Sequence, residues 1–170
     1  MYGFKNILSV CYNYMGLVEK FMDKGLRIYI TRMKILSKNE DKKFYKKAYS
    51  LFYTLKRYGN DVVYVGDDEF LNFNYEGIYK LISSCNCLLA FTDRYTISST
   101  WRASEVTYAT DGMGIFEKVN FHIPVFLYTA IDNYTTSFFD DVMKRQDVYI
   151  LPNNIPSAAQ FIKNTMKKFH

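Results

Sequence analysis

Short apolar runs alternate with amphipathic stretches along most of this chain. Five of the runs read as buried strands: residues 26–31 (LRIYIT), 62–65 (VVYV), 86–91 (NCLLAF), 123–128 (IPVFLY) and 148–151 (VYIL). Between them, residues 44–58 place Phe44, Ala48, Leu51, Phe52 and Leu55 at helical spacing with lysines in between. Ser37, Glu40 and Asp41 offer a cap and first-turn acids for that helix, and Gly59-Asn60 ends it. A short helix is expected around Ile78, Leu81 and Ile82. Another should be capped by Ser98 or Ser99 and run through Ala109. Further helices are expected over 137–143 and 157–168.

Continuous apolar strands separated by amphipathic helices imply a parallel sheet covered on both faces. Right-handed crossovers then predict an α/β, flavodoxin-like, doubly wound five-stranded sheet in the order 2-1-3-4-5. Residues 1–24 read as an N-terminal helical extension, amphipathic and interrupted by Asn13 and Gly16, and residues 25–170 as a single domain. No uninterrupted apolar span is long enough for a bilayer, so no membrane partner is expected.

Composition adds little. The chain has 170 residues, enough for one domain with a sizeable core. It carries 16 Tyr and 14 Phe against one Trp, and a formal charge of +5. The lysines at 42, 43, 46 and 47 and those near the C-terminus read as solvated helix faces, and no nucleic-acid-binding signature accompanies them. Cys11, Cys85 and Cys87 form neither a disulfide framework nor a zinc pattern, and they fit a reducing, cytoplasmic setting. The two histidines, His122 and His170, supply no catalytic dyad, and His122 reads as structural. There is no glycine-rich dinucleotide cradle and no Walker A sequence.

In doubly wound sheets ligands bind outside the carboxyl ends of the strands, at the switch point between strands 1 and 3. That rule selects Thr31 and Arg32 after the first strand. It selects Asp93, Tyr95, Ser98 and Ser99 after the third. In the helix that follows, Ala103, Val106, Ala109 and Met113 form a stripe suited to the sheet, while Trp101, Glu105, Tyr108 and Gly112 fall on a different face. The chain's single Trp and a carboxylate thus lie one turn apart near the helix start, where the dipole favours a charged acid. An ionised carboxylate suits the oxocarbenium-like state formed when a sugar–base bond breaks, and an aromatic ring suits the departing base. The plainer account of the same spacing is an exposed helix acid beside a half-buried Trp.

Ser99, Trp101 and Glu105, together with residues 37–44 and Leu51 and Leu55, resemble TIR domains, over roughly residues 26–168. In TIR domains that are enzymes, the matching Glu cleaves the nicotinamide–ribose bond of NAD+. This resemblance implies Glu105 as the catalytic acid, NAD+ as substrate with no separate cofactor or metal, and a homo-oligomer through TIR-like contacts. Glu105-Val-Thr-Tyr108-Ala109, preceded by Asp93, is also similar to nucleoside 2-deoxyribosyltransferases, which use a Glu in such a setting on the sugar. Their opening Ile-Tyr-Ile strand resembles residues 27–30. The glycine-threonine usual before that Glu is absent here, where Ala103-Ser104 stands. Both resemblances imply attack on an N-glycosidic bond of a nucleotide or nucleoside, with Glu105 central. Many TIR-like domains catalyse nothing and serve as interaction modules, which is the remaining alternative.

Overall fold

The computed structural model describes residues 25–31, 39–63, 75–92, 100–114, 118–129 and 137–169. The 1–24 extension, Ser37, Cys11 and His170 lie outside them. The elements are β1 (Arg27–Ile30), α1 (Asn39–Arg57), β2 (Asp61–Val63), α2 (Tyr75–Ser83), β3 (Cys87–Thr92), α3 (Thr100–Asp111), β4 (Val125–Thr129), α4 (Ser137–Met143), β5 (Val148–Ile150) and α5 (Ile155–Met166). They build a five-stranded sheet of order β2-β1-β3-β4-β5, and every neighbouring pair is parallel. This is the α/β doubly wound, flavodoxin-like arrangement expected from the strand pattern.

Alternation along the strands divides the core in two. Ile28, Ile30, Leu89, Phe91, Phe126 and Tyr128 face the layer of α1 and α5. Tyr29, Leu88, Ala90, Val125 and Leu127 face the layer of α2, α3 and α4. The central strand β3 is buried from Cys87 to Phe91, which is why it reads as an uninterrupted apolar run.

The ends of the elements follow local chemistry. After α1, Gly59 adopts φ +82°, its N–H bonds to the Lys56 carbonyl and that of Asn60 to the Leu55 carbonyl. That is a Schellman cap, which requires the left-handed residue glycine supplies. The Asn60 side chain then ties this turn to the start of β1, its Oδ1 accepting from the Leu26 N–H at 3.0 Å.

Most element boundaries differ from the sequence pattern by a few residues, and two of these shifts have a clear local cause. Strand β4 starts at Val125 rather than residue 123, because Pro124 has no N–H to enter the ladder. Helix α5 starts at Ile155 rather than residue 157, because Asn154 is its N-cap, with Oδ1 accepting from the Ser157 N–H at 3.1 Å. Among the described residues, no helix is long and apolar enough to cross a membrane.

Candidate active site

Helix α3 follows β3 and lies against the face that carries Tyr29. Among its described side chains, the buried ones are Glu105, Val106, Tyr108, Ala109 and Thr110. Met113, expected on the sheet-facing stripe, lies beyond the helix, is largely exposed and bridges to Lys118. The expected division of the helix into a sheet stripe and a separate face with Glu105 is therefore corrected: Glu105 belongs to the inward side. Its exposure is 1%, so the picture of an exposed helix acid is overturned.

The reason is a partner on the sheet. The Tyr29 hydroxyl on β1 donates to Glu105 Oε1 at 2.8 Å in a buried hydrogen bond. Burying a carboxylate is costly unless it is hydrogen-bonded, and a hydroxyl donor to an ionised acceptor makes the stronger, charge-assisted kind of bond. The pair also acts on Tyr29. Burial, and then the negative charge of Glu105 and the hydrogen bond to it, push the phenol pKa well above its ordinary range. Tyr29 is thus held as a donor. Glu105 is not a first-turn acid: α3 begins at Thr100 and has no acidic residue in its first turn. The helix dipole acts mainly within that turn, whereas Tyr29 bonds the carboxylate directly.

Tyr108, one turn from Glu105, is committed to packing. Its ring stacks on Tyr79 with centroids 4.2 Å apart and on Phe121 at 5.3 Å. Its hydroxyl shares a 2.8 Å hydrogen bond with Ser83, and Tyr79 reaches Ser104 at 3.3 Å. These contacts seat α3 on α2 and fix the rotation that turns Glu105 inward. The far end of α3 is anchored by Arg145. That guanidinium bonds to Thr110 Oγ1 at 2.9 Å and pairs with Asp111 at 3.0 Å and Asp141 at 2.7 Å.

Of the other expected site residues, Thr31 is fully buried at the carboxyl end of β1. Trp101 lies within α3 by its backbone, and its side chain is outside the described part. Arg32, Asp93, Tyr95, Ser98 and Ser99 lie outside the described residues. Tyr29 was missed as a site residue by sequence reasoning. A signal existed, because a tyrosine between Ile28 and Ile30 in a buried strand needs a partner for its hydroxyl. Cys85 and Cys87 are free and buried. Among the described residues, no three His, Cys, Asp or Glu side chains come together to hold a metal ion.

Fold and site together define a doubly wound α/β domain with a buried Tyr–Glu pair beside its switch point. No family model and no curated protein matches the chain. Among solved structures, it is similar to the CMP N-glycosidase BcmB of Clostridium botulinum. The TM-score is 0.51 at 17% identity, over 82% of this chain and 98% of that one. At that identity the likeness concerns the fold. None of these comparisons supports the TIR resemblance.

Proposed function

We propose that this chain cleaves the N-glycosidic bond of a nucleoside or nucleoside monophosphate, with Glu105 as the catalytic carboxylate. One observation carries the reading: a carboxylate held inside the domain by a tyrosine of β1, between β1 and the helix that follows β3. The similarity of fold to a CMP N-glycosidase supports it.

In the proposed reaction the bond from C1′ to the base nitrogen breaks and its electron pair leaves with the base. Glu105 stabilises the positive charge that develops on the sugar. A water molecule adds its oxygen to C1′, and the proton it loses ends on the departing base. The products are the free base and the sugar or sugar phosphate. Tyr29 is a positioning residue, fixing one carboxylate oxygen so that little rearrangement is needed as charge develops.

The test is incubation of purified protein with cytidine, CMP, other nucleosides and monophosphates, and NAD+, with chromatographic detection of free base. Base release from a nucleoside or monophosphate supports the proposal. Nicotinamide release from NAD+ alone would return the TIR reading. No release from any substrate would leave the interaction-module reading.

A further inference from the structure

The Tyr29–Glu105 pair has a neighbour that the fold alone does not explain. Thr31 follows Ile30 at the carboxyl end of β1, and its backbone N–H still donates to the Leu89 carbonyl at 3.1 Å. The ladder therefore continues through it, and so does the alternation of side chains. Ile28 and Ile30 face α1 and α5, while Tyr29 faces α2 and α3. Thr31 is the next residue on the Tyr29 face, about 6.6 Å further toward the carboxyl edge at the usual rise per residue. Its exposure is 0%, and among the described residues its Oγ1 has no hydrogen-bond partner.

A buried hydroxyl without a partner is destabilising, because it has lost water and gained nothing. Valine has nearly the same shape, suits a strand at least as well and would avoid that cost. The neighbouring strands also end in threonine, although the Thr92 hydroxyl there donates to the Tyr128 carbonyl at 3.4 Å. Thr92 ends β3 and Thr129 ends β4, and the two are register partners. Phe91 and Tyr128 face α1 and α5, so both threonines belong to the Glu105 face. Three adjacent strands thus lead into hydroxyl-bearing residues at their carboxyl ends, on the sheet face that carries Tyr29. A hydroxyl both donates and accepts, as a sugar hydroxyl does. The ring hydroxyls are also the polar groups of a nucleoside nearest the carbon that Glu105 must meet.

We infer that Thr31 is a sugar-binding residue, its hydroxyl reserved for a hydroxyl of the substrate's ribose, which makes the site selective for ribonucleosides or ribonucleotides. This rests on the N-glycosidase reading proposed above.

The experiment compares the parent protein with Thr31→Val and Thr31→Ser, using cytidine and CMP and their 2′-deoxy and 3′-deoxy counterparts. Thr31→Val is expected to lower kcat/KM about tenfold or more on the ribose substrate, the size expected for a lost hydrogen bond at a buried polar group. On the one deoxy analogue that lacks the partner hydroxyl, the same variant should lose less than about threefold, since the two deletions remove one interaction. Thr31→Ser should retain ribose activity. The melting temperature of Thr31→Val should rise, because the buried hydroxyl is gone. A threonine that serves only the fold would give the opposite: a lower melting temperature and equal losses on all substrates. A parent active on these substrates, with Thr31→Val losses the same on ribose and both deoxy analogues or absent altogether, overturns this inference and leaves the activity standing. A parent that releases no base from any of them overturns the N-glycosidase reading and the inference with it.

Discussion

The hydroxyl of Tyr29 and the carboxylate of Glu105 are 76 positions apart in sequence and 2.8 Å apart in the fold. The bond crosses from β1 to α3 inside the domain, so it serves both stability and the orientation of the acid.

Tyr29→Phe keeps the ring and removes only the donor. Taking one partner from a buried hydrogen bond to a charged group costs about 1–3 kcal/mol, so the urea midpoint should fall without a change in slope. If Tyr29 positions the carboxylate, kcat for base release should fall about tenfold, equivalent to ~1.4 kcal/mol of barrier, with KM little changed. Unchanged stability together with unchanged kcat would contradict the pairing described here.

Gly112 ends the helix that carries Glu105. Its φ is +64°, and a Cβ at that position would stand 2.0 Å from the Val119 carbonyl oxygen. Gly112→Ala therefore meets both a left-handed backbone penalty of ~1–2 kcal/mol and a clash with backbone. The expected result is a fall in melting temperature of at least about 5 °C for a domain of this size, measured by circular dichroism. A melting temperature at the parental value would contradict this description of the turn.

His122 gives the fold a pH dependence. Its Nδ1 lies 2.7 Å from the Thr110 carbonyl and its Nε2 lies 2.8 Å from Asp147 Oδ2. Both neighbours are acceptors, so both ring nitrogens donate and the imidazolium is favoured. Burial by itself lowers the pKa. The Thr110 carbonyl, the hydrogen bond and charge of Asp147 and the charge of Asp111 outweigh it, leaving the pKa above the ordinary 6.5. A raised folded-state pKa contributes stability that is fully present below the unfolded value and is lost as pH rises through the folded value. Denaturation midpoints of the parent should therefore decline from about pH 6.5 upward relative to those of His122→Ala. A variant that declines as steeply as the parent would show that His122 is not the source.

The architecture was largely legible in the sequence because parallel strands buried on both faces must be apolar throughout, and residues 87–91 have little choice of element. The switch-point rule led to Thr31, which is buried after β1, and to residues 93–99, which lie outside the described residues. The orientation of Glu105 was not legible. The inward side of α3 carries Glu105 and Thr110 among its apolar residues, so no clean apolar stripe marks it. The rotation of the helix is fixed by the Tyr79–Tyr108 stack and by Arg145, contacts with other elements that spacing within α3 does not contain. The same holds for Tyr29, whose partner lies on the far side of two crossovers.

The central claim is that Glu105 carries the chemistry, and Glu105→Gln tests it most directly. The amide keeps the size of the side chain and an oxygen to accept from Tyr29, so the fold should survive, as verified by thermal melting. The negative charge is lost, and removal of one such group from a developing transition-state charge costs on the order of a hundredfold or more. Rates of base release from the nucleoside or monophosphate that the parent cleaves should fall by at least that factor. A folded Glu105→Gln protein that releases base at the parental rate would contradict the account.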